Sequence, residues 1–157
     1  MRIKYRHLLI LLPVSVVLLT ALKRPPSQPL HPYFSAGEFL VAAHRGGDLL
    51  GPEGTLDIFR RAVEMGVDVL EMDVRPSADG ALVIFHDSRV DRTTNGEGRV
   101  DSLTLEQLQL LDAGYRWRGD GDSYPYRGRG LRIPTLEEVL SAFPRQRLMV
   151  EIKSRDT

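Results

Sequence analysis

From residue 39 onward, short apolar runs alternate with segments whose apolar residues recur every three or four positions. "FLVAA" (39–43) is uninterrupted and apolar, which predicts a buried strand. Thr55 is placed to cap a helix with Leu56, Phe59, Ala62 and Val63 on one face and Gly66 at its C-terminal end. "VDVLEMDV" (67–74) predicts a second strand. "GALVIFHD" follows an Asp79-Gly80 turn and predicts a run that pairs back as a hairpin. Thr104 and Gln107 form a capping box ahead of Leu108 and Leu111. Thr135 and Glu138 form another, opening a helix with Leu136, Val139, Leu140 and Phe143 on one side. "RLMVEIK" (147–153) is a further apolar run that carries charges. The rhythm of strand, helix and strand predicts an α/β fold with parallel strands and right-handed crossovers. The segment 88–130, rich in Gly, Asp, Arg and Asn, is an excursion from it.

Polar residues inside the apolar runs point to chemistry. Residues two apart in a strand share a face, so Glu71 and Asp73 point one way while Leu70, Met72 and Val74 point the other. Two readings are open. In one, the acids form the exposed face of an edge strand. In the other they lie inside, where neighbouring carboxylates are unfavourable without a cation between them. Glu151 repeats the arrangement, with Lys153 two residues on. Three carboxylates at strand ends suit one hard divalent cation, Mg²⁺ or Ca²⁺. His44 and His86 each end an apolar run, at the strand end where α/β folds place their sites. Imidazoles move protons near neutral pH, and such a pair can serve as base and acid in turn. Arg45 adds a fork suited to phosphate oxygens, and Gly46 and Gly47 allow close approach of a ligand.

Composition narrows the partners. A length of 157 residues with 42% hydrophobic content suits about one core. The 21 basic and 21 acidic residues cancel, so no global attraction for polyanions arises and no nucleic-acid partner is expected. "YRWRG" and "RGRGLR" read as a solvated loop, Asn95-Gly96 as a turn and Trp117 as a loop anchor. The absence of cysteine excludes disulfides, thiolate metal sites and cysteine nucleophiles. At the N-terminus, Leu8–Leu22 is free of charge and follows Arg2, Lys4 and Arg6. It predicts a membrane anchor about 22 Å long, or alternatively a cleaved signal segment. The basic residues favour a cytoplasmic N-terminus with the remainder exported, on the periplasmic or extracellular side; cleavage would make it secreted. Residues 23–38, with several prolines, read as a linker.

Taken in order, "HRGG" at His44, "PEGT" at Pro52, "EMDV" at Glu71, "HD" at His86, "DRTTNGEG" from Asp91, "IPTLEEVL" from Ile133 and "EIK" at Glu151 resemble the glycerophosphodiester phosphodiesterase family. The resemblance runs from about Leu40 to Lys153. It implies an α/β fold of the TIM (β/α)8 barrel type, with 39–157 a partial barrel and 88–130 a small insertion. It further implies His44 and His86 as the acid/base pair, and Glu71, Asp73 and Glu151 as ligands of one divalent ion. Arg45 and Lys153 would contact phosphate, and Glu53 corresponds to an active-site acid. The implied reaction is metal-dependent hydrolysis of small-molecule or lipid-derived glycerophosphodiesters to glycerol 3-phosphate and an alcohol. Gly54 departs from the pattern, standing where the family usually has asparagine. A barrel needs about 250 residues, so the chain is expected to supply roughly three of its strands and, alone, to fold poorly and turn over weakly or not at all. Other readings are a catalytically silent anchored phosphodiester-binding module, and a phosphodiesterase of inositol lipids or sphingolipids on the same barrel.

Overall fold

Every described strand pairs with the 69–76 segment. In the computed structural model residues 39–119 and 121–153 are described, and they fall in one compact unit. The expected N-terminal anchor and linker lie outside the described residues; among those described, no helix is long and apolar enough to cross a membrane.

Strand β1 (Ala42–Ala43) runs parallel to β2 (Val69–Pro76), and β3 (Leu82–Ile84) folds back antiparallel on β2 as the Asp79-Gly80 turn foretold. Strand β4 (Arg147–Ile152) is parallel to β2 along Val69–Val74. Because β4 occupies one whole edge, β1 and β3 share the other, one at each end. Segment 39–43 departs from its expectation. Its strand has only two residues, and Phe39 and Val41 are exposed. The apolar run pairs only where β2 lies alongside it.

Helix α1 (Leu56–Glu64) starts at Thr55, whose hydroxyl accepts from the Ile58 N–H, and Gly66 follows its end with φ 85°. Its Phe59 and Ala62 are fully buried, against Leu70 and Met72 of β2. Helix α2 (Leu105–Gln109) and helix α3 (Leu136–Ala142) both begin with complete capping boxes, at Thr104/Gln107 and Thr135/Glu138. On α3, Val139 is buried and Phe143 meets Phe59 edge-on at 6.1 Å. Leu140, expected on that face, is half exposed instead, since the stripe of a seven-residue helix is narrow. Burying each such large side chain stabilises the fold by about 1.5–3 kcal/mol.

A second core gathers Val90, Val100 and Leu108 from 88–130 with Val83, Phe85 and Ile133. Trp117 anchors this region, donating from Nε1 to the Asp48 carbonyl at 3.0 Å and meeting Tyr126 edge-on. Asn95 does more than turn the chain: its side-chain oxygen accepts from the Asp112 N–H at 2.8 Å.

Candidate active site

Alternation along β2 sorts its side chains. Leu70, Met72 and Val74 face the helices and are almost wholly buried, while Glu71, Asp73 and Arg75 take the opposite face. The edge-strand reading of the acids does not hold. β2 is paired on both edges, and Asp73 is only 3% exposed. The register sets Asp73 directly beside Glu151 of β4. Glu71, Asp73 and Glu151 each offer a carboxylate oxygen, all within 4.8 Å of one another. Three hard oxygen donors so close together form an acidic triad that could hold a divalent metal ion.

Basic groups balance the triad. Lys153 Nζ lies 3.0 Å from Asp73 Oδ1 and also bonds Glu151. The hydrogen bond to Glu151, with a further one to Asp73, outweighs desolvation and raises the ammonium above its ordinary range; the same bond lowers the Glu151 carboxyl. Arg45 sits in the left-handed region, φ 49° and ψ 30°, uncommon for a residue with a side chain. Its N–H donates to Glu71 Oε2 at 2.6 Å and its carbonyl accepts from the Gly54 N–H at 3.0 Å. The guanidinium reaches Glu53 at 3.3 Å, while its buried Nε lies 3.9 Å from Asp73 and has no hydrogen-bond partner among the described residues.

Gly46 and Gly54 take positive φ beside the site. A Cβ on Gly46 would fall 2.4 Å from the Phe59 ring. Gly54 has φ 68°, a conformation asparagine also tolerates, so the departure from the family pattern keeps the backbone requirement.

The register brings both histidines level with the acids: His44 follows Ala43, the partner of Leu70, and His86 follows Phe85, whose N–H donates to the Asp73 carbonyl. His44 follows β1, is mostly exposed, and its Nδ1 is 3.4 Å from Asp48. His86 lies two residues beyond β3, with Nδ1 2.6 Å from Asp87 Oδ1 and its carbonyl accepting from Arg75 Nε at 2.9 Å. Burial pushes the Asp87 carboxyl up, but hydrogen bonds from Arg92 and His86 outweigh it and hold the group at about 2, below its ordinary 3.8. Arg92 also donates to both oxygens of Glu53, at 2.9 and 2.6 Å. The structure brings Glu71, Asp73, Glu151, Lys153, Arg45 and Glu53 into one network, which His86 joins through Asp87 and Arg92. The side chain of His44 instead meets Asp48 and, like Glu151, is largely exposed. Asp48, Arg75, Asp87 and Arg92 join them without having been singled out. Asp87 adjoins His86 in sequence, so proximity alone could have flagged it; the reach of Arg92 to Glu53 had no local sign.

The described sheet, with β1 and β4 parallel to β2 and β3 antiparallel, gathers an acidic triad with Lys153 and Arg45 against it. The model of the glycerophosphoryl diester phosphodiesterase family matches residues 44–157, and the chain belongs to that family. The chain is 46% identical over 114 residues to the glycerophosphodiester phosphodiesterase of Caldanaerobacter subterraneus subsp. tengcongensis, covering 73% of this chain and 44% of the relative. It is 40% identical over 128 residues to that of Bacillus subtilis, covering 78% of this chain and 43% of the relative. Among solved structures, the glycerophosphoryl diester phosphodiesterase domain of an uncharacterized Mycobacterium tuberculosis protein superposes with a TM-score of 0.69 at 37% identity, over 72% of this chain and 43% of that one. A phosphodiesterase from Oleispira antarctica, solved with the product sn-glycerol-3-phosphate, gives 0.65 at 36% identity, over 73% and 44%. The chain thus spans less than half the length of these relatives.

Proposed function

We propose that this chain supplies the metal-binding and acid/base part of a barrel enzyme that hydrolyses glycerophosphodiesters to glycerol 3-phosphate and an alcohol. The observation that carries the reading is the convergence of Glu71, Asp73 and Glu151 within 4.8 Å, beside Lys153 and Arg45. In this reading 39–157 is part of a TIM barrel, with 88–130 inserted in it. The product-bound relative from Oleispira antarctica supports a small phosphodiester substrate.

Glu71, Asp73 and Glu151 would hold one Mg²⁺ or Ca²⁺, consistent with an all-oxygen donor set. When bound, the ion supplies positive charge that stabilises the phosphoryl oxygens. Arg45 contributes a buried Nε that still lacks an acceptor, a donor suited to a phosphate oxygen. Lys153 adds a second fixed positive charge, and Glu53 keeps the Arg45 fork oriented. One imidazole, neutral, takes the proton of the glycerol 2-hydroxyl as its oxygen attacks phosphorus. The other, protonated, gives its proton to the departing alcohol oxygen as the phosphorus–oxygen bond breaks. Water then opens the cyclic phosphate with the proton roles reversed, yielding glycerol 3-phosphate. Residues 8–22 would anchor the protein in a membrane and leave the catalytic part exported.

The test is release of glycerol 3-phosphate by the full-length protein with and without a chelator, and in His44→Ala and His86→Ala. Loss in each case is expected; unchanged turnover in both variants overturns the assignment. Protease accessibility of the catalytic part in intact cells checks the exported orientation.

A further inference from the structure

His86 is fixed at two points. Arg75 Nε holds its carbonyl at 2.9 Å, and Asp87 Oδ1 stands 2.6 Å from its Nδ1. Asp87 is itself clamped by Arg92, whose Nε and Nη2 both donate to it. The same guanidinium spans to both oxygens of Glu53, and Glu53 receives Arg45. A continuous polar chain therefore runs from the His86 ring through Asp87, Arg92 and Glu53 to Arg45. Among the described residues His44 has no comparable support: its Nδ1 contact is 3.4 Å and its side chain is 63% exposed.

An ionised carboxylate can only accept hydrogen bonds, so Nδ1 of His86 must carry the hydrogen that lies between it and Asp87. The neutral ring is then left with an unprotonated Nε2, the atom able to exchange protons with a ligand. We infer that Asp87 is a positioning residue that fixes His86 in the Nδ1–H tautomer, and that Arg92, reaching from the 88–130 segment, keeps Asp87 in place by bridging to Glu53. The catalytic consequence rests on the phosphodiesterase reading; the tautomer does not. Segment 88–130 thereby reaches into the proton-transfer geometry as well as bordering the site.

Asparagine at position 87 provides a discriminating test. Arg92 donates to the outer oxygen of Asp87 at 2.5 Å and to the oxygen facing His86 at only 3.2 Å, so it would claim the amide oxygen of Asn at the outer position and turn the NH₂ toward His86 Nδ1. Nδ1 would then have to accept, and the ring would adopt the opposite tautomer. In the full-length protein, Asp87→Asn is expected to lower kcat on a glycerophosphodiester at least as far as Asp87→Ala, on the order of 10²-fold, with KM within about twofold. Arg92→Gln, which frees Asp87 to turn, falls between wild type and Asp87→Ala. Nitrogen-15 histidine spectra read the tautomer independently of activity: Nδ1–H in wild type, Nε2–H in Asp87→Asn. A wild-type Nε2–H tautomer, or an Asp87→Asn protein with its tautomer and kcat unchanged, overturns the inference. If the wild type released no glycerol 3-phosphate, the phosphodiesterase reading would fail, while the spectra would still decide the positioning role.

Discussion

Strands β2 and β4 carry the same kind of text, an apolar run with an acid near its end, yet they live in different surroundings. β2 is paired on both edges and covered by α1 and α3, so Asp73 is buried. β4 is paired on one edge among the described residues, and Val150, Glu151 and Ile152 are exposed. The register still sets Asp73 beside Glu151. A buried carboxylate needs fixed counter-charges, here Lys153 and Arg45; its exposed neighbour does not, because water stabilises it. Two acids can thus stand side by side across a strand pair while differing widely in what they do for stability.

Activity gives the largest contrast to test. In the full-length protein, Asp73→Ala and Glu151→Ala are both expected to lower glycerol 3-phosphate release by on the order of 10³-fold, since each would remove a ligand of the same ion. A normal rate for either variant would break the pairing of the two strands in function. Stability should separate them. Asp73→Ala leaves Lys153 and Arg45 without their buried partner and is expected to cost about 3 kcal/mol in denaturant unfolding. Glu151→Ala should shift the midpoint far less. Mg²⁺ or Ca²⁺ at 100 times its dissociation constant should raise wild-type stability by about 2.7 kcal/mol, and neither variant should show that gain.

A smaller effect probes the outer face of β4. If the rest of a barrel covers Ile152, Ile152→Ala in the full-length protein costs about 1 kcal/mol or more. A change within about 0.5 kcal/mol would mean that this face stays in water, as its 82% exposure here would have it.

The least effect comes from Asp87, on the neighbouring loop. Its folded pKa of about 2 lies below the ordinary 3.8, so the unfolded chain binds the proton more readily. The Asp87 contribution should be fully present above about pH 4 and lost as pH falls through about 2. Asp87→Asn should flatten that part of the acid unfolding curve, read by circular dichroism.

Much of this was legible in local order. The alternation in 69–76 separates Leu70, Met72 and Val74 from Glu71 and Asp73 whatever else the chain does, because side chains in a strand alternate between faces. The Thr104 and Thr135 capping boxes close within four residues, so they too follow from sequence. His86 and Asp87 are adjacent, which leaves their contact nearly local. The two-residue length of β1 and the exposure of Leu140 were not legible, since pairing and coverage depend on neighbours distant in the chain. Nor was the burial of Asp73, which follows from β2 having partners on both edges.

The sequence by itself singled out candidate residues for metal, proton and phosphate contacts, and determined that Glu71 and Asp73 share one face of their strand. Only the tertiary structure decided that Asp73 stands beside Glu151, that Arg92 bridges Asp87 to Glu53, and that Arg45 is held in a left-handed turn against Glu71. The reason is physical. Periodicity and capping act over a few residues, whereas register and long-range ion pairs are set when the cores on either side of the sheet pack and fix how the strands lie together.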